Sequence, residues 1–197
     1  MKIITITSPS SAGKDSILNA VLRVNTNIKP IISTTSRPMR EGEIQDKDYH
    51  FKSYQEVKQM LDNNEFIEHR SYKVANGEEW LYGIHKSEIN LSSDETKIVI
   101  VDYTGLKELQ KYCYENDIDI KSYYIECNAK ERLFRSLKRE SNTDNNKVIE
   151  ACRRLIDDEI NVTIAKDICT VLKNENNQDF VNTVITISEG ESNGTEV

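Results

Sequence analysis

An α/β fold built on a parallel sheet is predicted by three observations. Residues 2–7 (KIITIT) form a β-branched run that passes through a small-residue turn into SILNAVLRV, whose apolar positions recur at helical spacing. Residues 97–102 (KIVIVD) are a continuous apolar run closed by an acid, the pattern of a strand covered on both faces. Strand-like and helix-like stretches then alternate through the second half of the chain, an order that favours parallel pairing.

The elements follow in order. After the first strand, turn and helix, residues 28–51 are rich in turn formers and read as mostly loop. YQEVKQMLDNN places Val57, Met60 and Leu61 on one helical face. FIEHRSYKV and EEWLYGI flank Asn76-Gly77, a dipeptide that favours a tight hairpin. GLKELQKYCYEN reads as a helix, IKSYYIEC as a strand, residues 129–165 as charged helices and CTVLKN as a short strand. A last helix is expected over Asp179–Ile187. The chain is therefore expected to form one domain over residues 1–187, followed by a polar, acidic and disordered tail over 188–197.

Composition narrows the chemistry. The net charge is −7, with 26 basic and 33 acidic residues, which argues against a general nucleic-acid surface. No apolar run reaches the roughly 20 residues of a spanning helix, so no membrane partner is expected. The start, MKIITITSPSS, lacks the apolar core of a secretory signal. Cys113, Cys127, Cys152 and Cys169 are too widely spaced for a CxxC metal site and read as thiols of a reducing compartment, the cytoplasm. His50, His69 and His85 lack metal-ligand spacing.

The turn after the first strand is Ser8-Pro-Ser-Ser-Ala-Gly13-Lys14-Asp15-Ser16, close to GxxxxGK[ST]. In that motif successive backbone N–H groups and a helix N-terminus surround phosphates while a lysine balances their charge. Ser10, Ser11, Ala12, Gly13, Lys14, Asp15 and Ser16 are accordingly the candidate phosphate contacts. Two positions depart: Ser8 replaces the first glycine, and Asp15 replaces the hydroxyl that holds magnesium. Asp15 could ligate Mg²⁺ itself or repel a triphosphate, and Ser16 could supply the hydroxyl one residue later. A small-residue turn capping a helix would look similar.

Downstream lie Ser33-Thr-Thr-Ser-Arg37-Pro-Met-Arg40-Glu-Gly-Glu43 and Asp48-Tyr49-His50-Phe51. Two arginines three apart present rigid forks of donors that suit a terminal phosphate. Tyr49 and Tyr82 can add hydroxyls, and the two carboxylate oxygens of Glu68 match the N1–H and N2–H₂ donors of guanine. The same residues could instead form a solvated surface network. This segment, with Asn64-Glu-Phe-Ile-Glu68 and Tyr82-Gly83, closely resembles the guanosine monophosphate (GMP) site of guanylate kinases, and the resemblance extends more loosely over residues 1–187.

The resemblance implies a P-loop kinase three-layer fold with a parallel central sheet, an NMP-binding subdomain at about 33–91 and a lid at about 131–155. It implies ATP-dependent phosphorylation of GMP, or dGMP, with Mg²⁺, by a monomer or homodimer. Ser33 and Glu68 would read guanine; Arg37, Arg40, Tyr49 and Tyr82 would hold the phosphate, oriented by Glu43. Asp102 would lie beside the acceptor nucleotide, or simply cap the next helix. Lys14, Arg37 and the lid arginines Arg135, Arg139 and Arg154 (Arg153 is a close rival) would be catalytic, and Asn174 would contact adenine. Three departures stand out: Ile100 replaces a second acid, Ile84 replaces a Ser or Thr, and KRESNTDNN replaces a glycine-containing lid turn. Two other readings stay open. One is a catalytically inactive binding module; the other is a P-loop kinase for a different acceptor, such as another deoxynucleotide or a ribose bisphosphate.

Overall fold

The computed structural model describes residues 1–73, 77–139, 148–149, 152–153, 155–156, 158 and 163–190. The chain divides into two compact units. One comprises Met1, Pro30–Asp94 and Thr104–Asp119; the other comprises Lys2–Lys29, Glu95–Tyr103 and the described residues from Ile120 onward.

The second unit carries a five-stranded sheet. In chain order its strands are β1 (Lys2–Thr7), β2 (Ile28–Pro30), β7 (Thr96–Ile100), β8 (Asp119–Glu126) and β9 (Thr170–Lys173), arranged β2-β7-β1-β8-β9. β1 runs parallel to β7, with Ile4 opposite Ile98, and β8 runs parallel to β9. The hydroxyl of Thr7 donates to the Val101 carbonyl at 3.1 Å and fastens the carboxyl ends of β1 and β7. Helix α1 (Lys14–Val24) buries Ile17 and Val21 one turn apart, as its spacing requires. Helix α4 (Ala129–Arg139) follows β8. The last helix, α5 (Asn177–Glu189), sends Val184 and Ile187 into the same core as Ile4, Ile6, Ile98 and Ile125.

The first unit carries a four-stranded sheet in the order β4-β3-β6-β5, made of β3 (Thr34–Thr35), β4 (His50–Phe51), β5 (Phe66–Lys73) and β6 (Glu79–His85). Helix α2 (Tyr54–Asp62) starts at a capping box in which Ser53 and Glu56 satisfy each other's backbone N–H groups, and it packs Val57 against Phe66 and Leu81. Helix α3 (Tyr103–Glu115) falls almost wholly in this unit.

Every expected strand and helix with described residues is present. One boundary is corrected: α5 continues to Glu189, because Ser188 is buried and Gly190 ends the helix in the left-handed conformation at φ 56°. Residues 188 and 189 therefore belong to the fold and not to the tail. Val74–Asn76 of the expected hairpin, and 191–197 of the tail, lie outside the described residues. No helix among the described residues is long and apolar enough to cross a membrane.

Candidate active site

The phosphate loop of the second unit is shaped by alternating backbone handedness. Ser11 and Gly13 both take positive φ, at 61° and 96°, and between them the Ala12 N–H donates back to the Pro9 carbonyl at 3.4 Å. α1 then begins at Gly13 with no side chain capping it, so its first N–H groups remain available to an anion. Lys14 and Asp15 follow, with Nζ 3.9 Å from the Asp15 carboxylate. Asp15 and Ser16 are both exposed on the first turn. The Ser11 hydroxyl is buried and has no hydrogen-bond partner among the described residues.

Three side chains from distant parts of the chain hold the loop. Asn174, just beyond β9, is 4% exposed, and its amide nitrogen donates to the Ala12 carbonyl at 2.7 Å. Arg135 donates through Nη2 to the Asn174 carbonyl at 2.9 Å and lies 3.4 Å from the Ala12 carbonyl, while its Nε is fixed by Glu131 at 2.9 Å. Asp158 accepts the Ser10 N–H at 2.6 Å and lies 3.8 Å from Arg132, the largest fully buried side chain. A cleft of about 340 Å³ beside the loop is lined by Pro9, Cys127, Arg132, Asp158, Lys166 and Glu175.

These contacts bear on three of the candidates. The N–H of Ser10 is spent on Asp158 and that of Ala12 on the Pro9 carbonyl at 3.4 Å, so neither is presented to a ligand. One N–H of the Asn174 amide is spent on Ala12, which leaves the other N–H and the side-chain oxygen for a base. Substituting Gly13 by alanine is expected to strain the loop twice over. The added Cβ would sit 2.5 Å from the Asn174 nitrogen at a φ of +96°. A left-handed non-glycine residue costs about 1–2 kcal/mol by itself, so both thermal stability and ATP affinity should fall. An unchanged melting temperature would count against this description of the loop.

In the first unit, Arg37 is 4% exposed although it carries a full charge. Its Nη1 and Nη2 donate to the two oxygens of Glu43 at 3.0 and 2.8 Å, and Nη1 also donates to the Pro38 carbonyl at 2.8 Å. Glu43 further accepts the backbone N–H of Arg40 at 2.7 Å. The pair is mutually reinforcing: hydrogen bonding to Glu43 raises the guanidinium pKa, and the Arg37 hydrogen bond holds the Glu43 carboxyl below its ordinary range. The Arg37 guanidinium lies over the rings of Tyr49 and Phe51 at 5.4 and 5.5 Å. Tyr49 meets Tyr82 edge-on at 6.0 Å. Arg40 and Tyr82 are thus placed beside Arg37, with the Arg40 side chain exposed.

β5 and β6 supply the other end of this half-site. Their antiparallel register sets Glu68 opposite Ile84 and Arg70 opposite Tyr82, which puts all four side chains on one face. Glu68 is 7% exposed. Ser33 lies just before β3, its carbonyl accepting the His50 N–H at 2.9 Å. His50 is itself held between Asp46 at 2.7 Å and Glu88 at 3.1 Å. Asp102 is exposed at the carboxyl end of β7, where parallel sheets present ligand-binding groups.

Of the lid candidates, Arg135 and the rival Arg153 are described with their side chains. The side chain of Arg139 and the whole of Arg154 lie outside the described residues, and Arg153 is exposed. Sequence reasoning missed Arg132, Asp158 and Arg70. Arg132 stands three residues before Arg135 on one helical face, a spacing that could have flagged it; Arg70 stands two after Glu68 on one strand face.

Comparisons with known proteins bear on the family and the fold. The guanylate kinase family model matches residues 1–189. A guanylate kinase of Rickettsia prowazekii is 28% identical over 189 residues, covering 95% of this chain and 88% of its own. One from Buchnera aphidicola is 33% identical over 144 residues, covering 71% of this chain and 65% of its own; for one from Saccharophagus degradans the matched share of its own length is 51%. The chain thus spans between about half and two thirds of the length of these last two relatives. The crystal structure of a guanylate kinase from Anaplasma phagocytophilum superposes with a TM-score of 0.64 at 24% identity, covering 95% of this chain and 82% of that one, so the fold is shared. With the family model matching residues 1–189 of its 197, the chain belongs to the guanylate kinase family.

Proposed function

We propose that this protein transfers a phosphoryl group from ATP to GMP or dGMP. One observation carries the reading. A buried, carboxylate-oriented arginine, Arg37, is linked through Tyr49 and Tyr82 to the strand face that bears the buried acid Glu68. A monophosphate suits the arginine end, and guanine suits the acid end. Adenine, which lacks the N2 amine and presents an acceptor at N1, would leave Glu68 poorly paired. Ser33, Arg40 and Asp102 would add contacts to the acceptor.

On the donor side, the N–H groups of Ser11 and of residues 13–16 and the Lys14 ammonium would hold the ATP phosphates. Arg135, with Arg139 and Arg154, would balance charge on the phosphoryl group in transit. The Asn174 carbonyl oxygen suits the N6 amine of adenine. Magnesium fits this chain as an ion held largely by the nucleotide: Asp15 and Ser16 can each offer one oxygen, and no group of three ligands occurs among the described residues. When bound, it would neutralise charge on the phosphate oxygens. Acting on free nucleotides, the protein would work in the cytoplasm as a monomer or homodimer.

A coupled assay with ATP and Mg²⁺ tests the reading, with ADP expected to form on adding GMP or dGMP. No ADP with either would overturn it. Replacing Glu68 by glutamine should reduce the preference for GMP over AMP by about 10²-fold or more. An unaltered ratio would mean that the base is read elsewhere. The exposed Asp15, at a position where a hydroxyl is usual, favours a second reading, a non-catalytic binding module. Calorimetry separates the two, since the module should bind no ATP. A panel of phosphorylated acceptors would expose a kinase of different substrate.

A further inference from the structure

We propose that Arg70 is a second base-reading residue, donating to the O6 edge of guanine while Glu68 accepts from N1–H and N2–H₂. The inference rests on the proposed GMP reading and sharpens it. Arg70 and Glu68 lie two residues apart on β5, so their side chains emerge on the same face, and Arg70 Nη2 is 3.7 Å from the Glu68 carboxylate. The Arg70 side chain is only 16% exposed, which fixes its guanidinium beside the acid instead of in solvent. It is aimed by two acceptors: Nη1 donates to Glu108 of α3 at 3.1 Å and to the His69 carbonyl. A guanidinium carries five N–H donors, enough to keep the Glu108 bond and add one to a ligand.

The edge that results runs donor, acceptor, acceptor. Guanine presents the complement along its Watson–Crick edge: the O6 acceptor, then the N1 and N2 donors. A carboxylate alone satisfies only the last two. Ile84, directly across from Glu68, brings no donor, and Tyr82, across from Arg70, leads towards Tyr49 and the phosphate end. Tyr72 and Trp80, the next pair along this face, lie beyond Arg70 as seen from Glu68, so Arg70 is the donor that stands next to the acid on its own strand. Arginine is the side chain most often used to read guanine oxygen and nitrogen acceptors, because its donors are rigidly spread.

6-Thio-GMP changes only the O6 atom, to a weak acceptor, whereas IMP lacks only the N2 amine. Measured by kcat/KM, the wild-type protein should favour GMP over 6-thio-GMP by about tenfold or more. Arg70→Met should lower kcat/KM for GMP by about 10- to 100-fold and bring the GMP to 6-thio-GMP ratio close to one. The GMP to IMP ratio, which reports on Glu68, should stay within about twofold. Glu108→Gln, at a largely solvated position, should fold normally and lower the first ratio part of the way. An unchanged GMP to 6-thio-GMP ratio in Arg70→Met overturns the proposal, leaving Arg70 as a partner of Glu68 only. A collapse of the GMP to IMP ratio overturns it too, since Arg70 would then act through Glu68. If no acceptor is phosphorylated, the kinase reading fails, and the same two ratios taken from calorimetric affinities for the nucleotides still decide the role of Arg70.

Discussion

Replacing Lys14 by alanine is expected to lower the turnover number by about 10³-fold while leaving GMP affinity within about twofold. Lys14 is the first residue of α1, directly after the left-handed Gly13, and its ammonium is the one positive side chain the loop itself contributes. Its partner among the described contacts is Asp15, at 3.9 Å and 79% exposed, a loose ion pair that a phosphate would readily displace. Lost charge compensation at the transferring group would affect the transition state more than the acceptor, whose proposed contacts lie in the other unit. Steady-state kinetics with GMP titration by calorimetry checks both halves. A turnover number within threefold of wild type, by about the precision of such assays, would remove the loop from the mechanism.

Arg37→Met is expected to act twice. With the fork of donors gone, kcat/KM for GMP should fall by about 10²-fold or more. Stability should fall by about 2–3 kcal/mol, because Glu43 is left without the partner that now occupies both its oxygens, although its partial exposure moderates the loss. The pH dependence has a definite sign. Glu43 is held below its ordinary value of 4.5, so the pair's contribution is complete above that value and fades as pH falls through the lowered one. Urea unfolding of both proteins should therefore give curves that differ most at neutral pH and converge in acid. Curves that stay equally separated at low pH would show that Glu43 is not the cause.

What was legible in the sequence, and what was not, divides along one physical line. β1, β7 and the helices α1 and α3 declare themselves through local periodicity, because each has one environment that its own residues encode. The acceptor candidates Arg37, Arg40, Glu43, Tyr49, Glu68 and Tyr82 could be named from the chain, since most lie close together in it and their chemistry suits one ligand, and all six fall in the first unit. The devices that hold the phosphate loop were not. The Asp158 bond to Ser10 spans 148 positions, and that of Asn174 to Ala12 spans 162. No local pattern encodes such a pairing. The end of α5 was missed for a smaller reason: Ser188 and Glu189 look like tail by composition, yet Ser188 is buried and Gly190 supplies the stop.

The arrangement of the first unit within the chain also orders events in time. β1 leaves the ribosome first, yet its neighbours β7 and β8 begin at residues 96 and 119. The β3–β6 sheet, by contrast, is encoded wholly between residues 34 and 85; β3 pairs with β4 in parallel and with β6 antiparallel, and β5 with β6 antiparallel. During synthesis the β3–β6 sheet therefore has all its strands before β1 has any partner in its own sheet. The sheet proposed to hold the acceptor can pair its strands over shorter loops than β1 and β7, whose pairing waits for a longer one.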